Sequence, residues 1–115
     1  WRDYSIHSYM QEMRKEGCFM KVVIVYDIST VDARGRNRLN RVRRVCMKWG
    51  IPVQKSVYEC NIDNTQLSEL AKTLNDIIRQ DIDAVRFYIL GNNYNNRILS
   101  FGRQNMTAQM LGFVL

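Results

Sequence analysis

The feature that most constrains the fold is the run Met20-Lys21-Val22-Val23-Ile24-Val25-Tyr26-Asp27-Ile28. Its β-branched and apolar residues pack well on a pleated, covered surface, so it reads as a buried central strand. A central strand needs neighbours, and the downstream chain supplies them in alternation with helical stretches. Ser29-Thr30-Val31-Asp32 carries turn and N-cap chemistry, with Asp32 or Thr30 able to accept the free amides of a helix start. Leu39, Val42, Cys46 and Trp49 then recur at i, i+3, i+7 and i+10, which predicts a helix over about 33–49 that buries this stripe. Gly50 ends it and Pro52 keeps it ended.

Val53 to Ile62 alternates and is rich in strand formers, giving one bent strand or two short ones. Asn64 or Thr65 caps a second helix in which Leu67, Leu70, Ala71, Leu74, Ile77 and Ile78 follow the 3.6-residue period. Asp81-Ile82-Asp83 leads into a strand, Ala84 to Leu90, closed by Gly91. Asn92 to Asn96 is a loop by composition, and Arg97 to Phe101 is expected to form a last short strand. The order predicts an α+β fold: a ferredoxin-like β-α-β-β-α-β sandwich, two helices on one sheet face, with an additional C-terminal strand.

At 115 residues the chain holds one core, expected over residues 20–103, with an extension at 1–19 and an apolar tail at 104–115. No apolar run approaches the 18 or so residues that a membrane span needs. The start, Trp1-Arg2-Asp3-Tyr4, does not lead into the apolar segment of a secretory leader, so the expected compartment is the cytoplasm. Three cysteines, Cys18, Cys46 and Cys60, show no paired spacing for a disulfide framework or zinc. Cys46 and Cys60 fall at apolar positions and read as small buried hydrophobes. His7 is the single histidine and lies outside the patterned region, so Ser-His-Asp and Cys-His chemistry are poorly supplied. Chemistry here rests on carboxylates, tyrosines or arginines.

Charge is unevenly placed. Residues 34 to 48 contain Arg34, Arg36, Arg38, Arg41, Arg43, Arg44 and Lys48 without one acid, a local +7 against +6 for the whole chain. With no interleaved carboxylates to make i, i+4 pairs, the segment repels itself unless an anion is present. Such a block inside a folded domain is the footprint of a phosphate-backbone binder, although a solvated helix face or an acidic protein partner also accommodates it. On the helix, Arg34, Arg41, Arg44 and Lys48 fall on the side turned from the apolar stripe, and Arg36 and Arg43 flank its other edge.

Four segments in order carry a resemblance. The strand ending Val25-Tyr26-Asp27-Ile28, the arginine-rich helix, Gln54-Lys55-Ser56-Val57-Tyr58-Glu59, and Asp83-Ala84-Val85-Arg86-Phe87-Tyr88-Ile89-Leu90 together resemble the small CRISPR-associated adaptation nucleases. These proteins accompany the CRISPR integrase in spacer acquisition and antiviral defence. The similarity spans roughly residues 20 to 101. It implies a ferredoxin-like homodimer, with the last strand often exchanged onto the partner's sheet, acting as a metal-dependent endonuclease on RNA or duplex DNA. It equally implies a non-catalytic bridge that holds DNA between integrase dimers. A toxin-like ribonuclease or plain RNA-binding module outside CRISPR is a third reading, weakened by the lack of a stacking aromatic pattern on the strands.

Site residues follow from the resemblance. The family aspartate falls on Asp27, a position that by itself reads as a turn or cap residue after a strand. The implied cofactor is one Mg²⁺ ion shared across the dimer, because Mg²⁺ takes oxygen ligands and a two-fold axis near Asp27 would bring two carboxylates together. Arg34 and Arg36 match basic family positions and are expected to hold phosphates, with Arg38, Arg41, Arg44 and Lys48 extending the nucleic-acid-binding surface. Tyr26 and Ser29 flank Asp27 as accessory candidates, Tyr26 with core packing as its other role. Tyr58 matches an aromatic family position where stacking and packing are both open. Arg86, in mid-strand, is expected to pair with Glu59. The resemblance begins at Met20, so residues 1–19 are expected outside the native domain, Lys15-Glu16-Gly17 being encodable by a ribosome-binding sequence.

Overall fold

The protein is described from a computed structural model in which the described residues are 18–103. The extension with His7 and the tail from Gln104 lie outside them. Six elements follow in chain order: β1 (Met20–Asp27), α1 (Ala33–Trp49), β2 (Gly50–Gln54), β3 (Val57–Ile62), α2 (Asn64–Ile77) and β4 (Ala84–Gly91). The sheet order is β2-β3-β1-β4, and all three pairings are antiparallel. Each helix therefore carries the chain past one strand: β1 and β2 flank β3, and β3 and β4 flank β1. This is the expected ferredoxin-like α+β sandwich, with β1 in the interior of the sheet.

Alternation along β1 decides which face is buried. Met20, Val22, Ile24 and Tyr26 turn to the helices and are buried, while Lys21, Val23 and Val25 turn to the other face and are half-buried. Tyr58, Cys60 and Ile62 of β3 join the covered face, and Val42 and Cys46 of α1 with Leu67, Leu70, Leu74 and Ile77 of α2 close over it. The second helix packs the stripe the sequence predicts, but its cap is Asp63. The Asp63 carboxylate accepts from the Gln66 amide (2.8 Å) and the Gln66 side chain accepts from the Asp63 amide (3.0 Å), a reciprocal capping box that neither Asn64 nor Thr65 would complete.

One open expectation is resolved and one further expectation is corrected. The segment 50–62 forms two strands joined by Lys55 and Ser56, and Ser56 adopts φ 65 to make the turn. Gly50 serves as the first residue of β2 in extended conformation, so strand follows helix without a loop. Residues 97–101 form no strand. Gly91 (φ 83) turns the chain out of the sheet, the Arg97 guanidinium donates to the Leu90 carbonyl, and Leu99 and Phe101 stand exposed.

Helix α1 starts close over the loop that follows β1. A Cβ on Gly35 would lie 2.0 Å from the Ser29 carbonyl oxygen, so only glycine permits this approach. Gly35→Ala is expected to destabilise the fold by about 3 kcal/mol or more, read as a lower urea midpoint with little change in slope.

Candidate nucleic-acid interface and metal site

The end of β1 is where the chemistry converges. Asp27 is one residue out of phase with buried Tyr26, so its carboxylate emerges exposed on the face away from the helices. Its partner across the sheet is Ala84, too small to cover it. Asp27 forms no ion pair among the described residues. Five residues later Asp32 caps α1, its carboxylate accepting from the Gly35 amide (2.9 Å). That hydrogen bond, with the nearby Arg38 and Arg34 charges, holds the Asp32 carboxyl below the usual range. The short loop thus sets Asp27 and the first turn of α1, with exposed Arg34 and Arg36, at one end of the molecule. The positive end of the helix dipole adds to those two charges, so this end is suited to a phosphate.

Arg38 departs from the expectation. It is buried, not part of a solvent-facing basic surface, because Gly35, Arg38, Val42 and Cys46 form one i, i+3, i+7, i+11 stripe toward the sheet. Its Nε donates to Asp83 Oδ2 (2.7 Å) and its Nη2 to Oδ1 (3.3 Å). Asp83 Oδ1 also accepts from the Ser29 amide and Oδ2 from the Arg79 amide, both at 2.9 Å. Burial alone would raise the Asp83 carboxyl, but Arg38 and the two amides outweigh it and hold it below the ordinary value. The same pairing raises Arg38.

The other helix arginines behave as the spacing predicts. Arg34, Arg36, Arg41, Arg44 and Lys48 are exposed. Arg41, Arg44 and Lys48 line a groove of about 470 Å³ with Val45 of α1 and Thr73, Asp76 and Ile77 of α2. At a rise of about 1.5 Å per residue, Arg34 and Lys48 lie about 21 Å apart, so the basic side can follow several phosphates of one strand.

The accessory candidates divide. Tyr26 and Tyr58 are both buried and stack with ring centroids 6.2 Å apart and planes 24° from parallel, so both rings serve the core. Burial, then the neighbouring Tyr58, pushes the Tyr26 hydroxyl up to about 12, which keeps it protonated near neutrality. Ser29 is half-buried and is tied through its backbone to Asp83. Arg86 does not meet Glu59: in register it stands beside Val25, and its guanidinium donates to the Tyr88 hydroxyl (3.0 Å), while Glu59 pairs with Lys21 at 3.5 Å. Burial pushes the Cys46 and Cys60 thiols up to about 12 and about 11, as expected for inert core residues. Among the described residues no three His, Cys, Asp or Glu side chains gather as a metal cage, and no helix is long and apolar enough to cross a membrane. Among the described residues, the end of β1 therefore offers a cation the exposed Asp27 carboxylate without a cluster of further ligands.

Asp83 should also govern acid stability. A carboxyl lowered by folding contributes stability that is complete above its unfolded value, about 3.9, and is lost as pH falls through the folded value. Thermal unfolding midpoints are expected to drop as pH falls below about 4, and Asp83→Asn is expected to lower the midpoint at neutral pH while flattening that acid limb.

The protein-family model for CRISPR associated protein Cas2 matches residues 20–98. A CRISPR-associated endonuclease Cas2 of Halalkalibacterium halodurans is 41% identical over 83 residues, covering 72% of this chain and 86% of the relative. A CRISPR-associated endoribonuclease Cas2 of Chlorobaculum tepidum is 39% identical over 79 residues, covering 69% and 82%. The crystal structure of Streptococcus pyogenes Cas2 superposes with a TM-score of 0.63 at 36% identity, covering 72% of this chain and all of that one. The family model and these likenesses agree: the chain belongs to the CRISPR-associated Cas2 family.

Proposed function

We propose that the protein is a CRISPR-associated endonuclease that hydrolyses phosphodiester bonds of RNA or DNA with one Mg²⁺ ion at Asp27, working as a homodimer alongside the CRISPR integrase in spacer acquisition. The observation that carries this reading is the exposed Asp27 carboxylate, without an ion pair among the described residues, at the same end as Arg34 and Arg36, in a chain whose relatives are named endonuclease and endoribonuclease. An exposed oxygen donor fits a hard cation that retains most of its waters. When bound, Mg²⁺ neutralises phosphate charge and lowers the pKa of a bound water. The protein's own part is to present Asp27 on a strand end, to hold the phosphate with Arg34 and Arg36, and to orient the backbone along α1.

The homodimer is supported by the uncovered sheet face. Among the described residues no helix lies over Val23, Val25 and Val57 there, and Asp27 sits at that face's rim. A second copy on this face brings two Asp27 carboxylates toward one ion, correcting the thin coordination that one chain provides. The cytoplasm, where CRISPR nucleic acids are handled, is the compartment this reading requires.

Labelled single-stranded RNA and duplex DNA distinguish cutting from holding. Wild type is expected to cleave with Mg²⁺ and not with chelator, and Asp27→Ala is expected to lose cleavage by about 100-fold or more while keeping duplex binding. Tight duplex binding without metal-dependent cutting would instead make the protein an architectural bridge.

Binding itself has a separate signature. Replacing Arg41 or Arg44 by Gln is expected to weaken binding of all sequences alike and to flatten the log–log salt slope by about one unit per lost contact. An unchanged slope would remove that residue from the interface.

A further inference from the structure

We infer that the buried Asp83–Arg38 pair is the positioning device that fixes Asp27 relative to Arg34 and Arg36. The inference rests on the nuclease reading above for its catalytic part. Asp83 carries the clamp in two ways. Its neighbour Ala84 pairs across the sheet with Asp27, and its side chain accepts from the amide of Ser29, two residues beyond Asp27. The backbone around Asp27 is thereby held on both sides by one short segment. The same carboxylate grips Arg38 through two guanidinium nitrogens, one turn of α1 beyond Arg34, and accepts from the Arg79 amide in the connection from α2 to β4.

Four hydrogen bonds use the full acceptor capacity of a carboxylate, and the Asp83 side chain is 0% exposed. A buried ion pair is weak evidence for stability as such, since apolar residues of similar volume often do as well. Apolar replacements would pack, but they would leave the Ser29 amide without its acceptor and the loop from Asp27 to α1 without a fixed course. The arrangement therefore answers a need for direction. Misplacement of a reacting group by about 1 Å can cost about 100-fold in rate, so release of this loop should be felt in turnover before it is felt in binding.

The test compares Asp83→Asn and Arg38→Lys with Asp63→Ala, a cap variant that loosens α2 away from Asp27. Arg38→Lys keeps the cation and removes the two-nitrogen grip, so it serves if Asp83→Asn does not fold. Three readouts are taken: thermal midpoint, kcat and KM for cleavage with Mg²⁺, and amide hydrogen exchange at Ser29. Both clamp variants are expected to lose about 10-fold or more in kcat with KM within about 3-fold, and to exchange at Ser29 faster than Asp63→Ala of similar midpoint. Wild-type protection of Ser29 in the clamp variants, or a kcat loss no greater than that of Asp63→Ala, overturns the inference. Cleavage by Asp27→Ala at the wild-type rate overturns the nuclease reading instead, whatever Ser29 does.

Discussion

A single carboxylate, that of Asp83, draws together segments that are far apart in the chain: the loop after β1, the first half of α1 and the turn before β4. Removing a carboxylate from water is costly, and the cost is met only because every acceptor position is filled. This requirement works as a constraint on geometry. Arg38 must point inward, α1 must begin low over Ser29, and Gly35 must lack a side chain so that it can. The placement of the exposed basic residues is a consequence, because a helix with Arg38 turned inward has Arg41, Arg44 and Lys48 turned outward.

The sheet divides the molecule's tasks between its two faces. The face under α1 and α2 holds the apolar core, including both stacked tyrosines and two cysteines whose thiols burial keeps protonated. The other face carries half-buried valines and ends at Asp27. A carboxylate at the rim of that face meets solvent without leaving its strand. The exposed basic residues lie on the helix layer, joined to the Asp27 end by the first turn of α1.

Much of this was legible in the residues. The run from Met20 to Ile28, the helical periods and the position of Asp27 at a strand end follow from patterns of two and 3.6 residues. Arg38 shows where pattern reading stops short. The predicted stripe runs through Leu39, Val42, Cys46 and Trp49, and charge puts Arg38 on the basic surface; only a buried acid reverses that. Asp83 stood 45 residues away with nothing local to mark it as that acid. The pairing expected between Arg86 and Glu59 failed for a related reason: strand register put Arg86 beside Val25 and gave Glu59 to Lys21. The α2 cap was missed by one residue, although Asp63 and Gln66 have capping-box spacing.

The amino-acid sequence by itself determined the element order, the two amphipathic helices, the basic character of α1 and the aspartate that closes β1, because each depends on short-range periodicity and backbone propensity. Tertiary structure alone decided which arginine is withdrawn from the basic surface, that the tyrosines stack in the core, and that residues 97–101 leave the sheet. Those outcomes depend on contacts between residues remote in the chain, where burial sets the balance between a charge's hydration and the hydrogen bonds that can replace it.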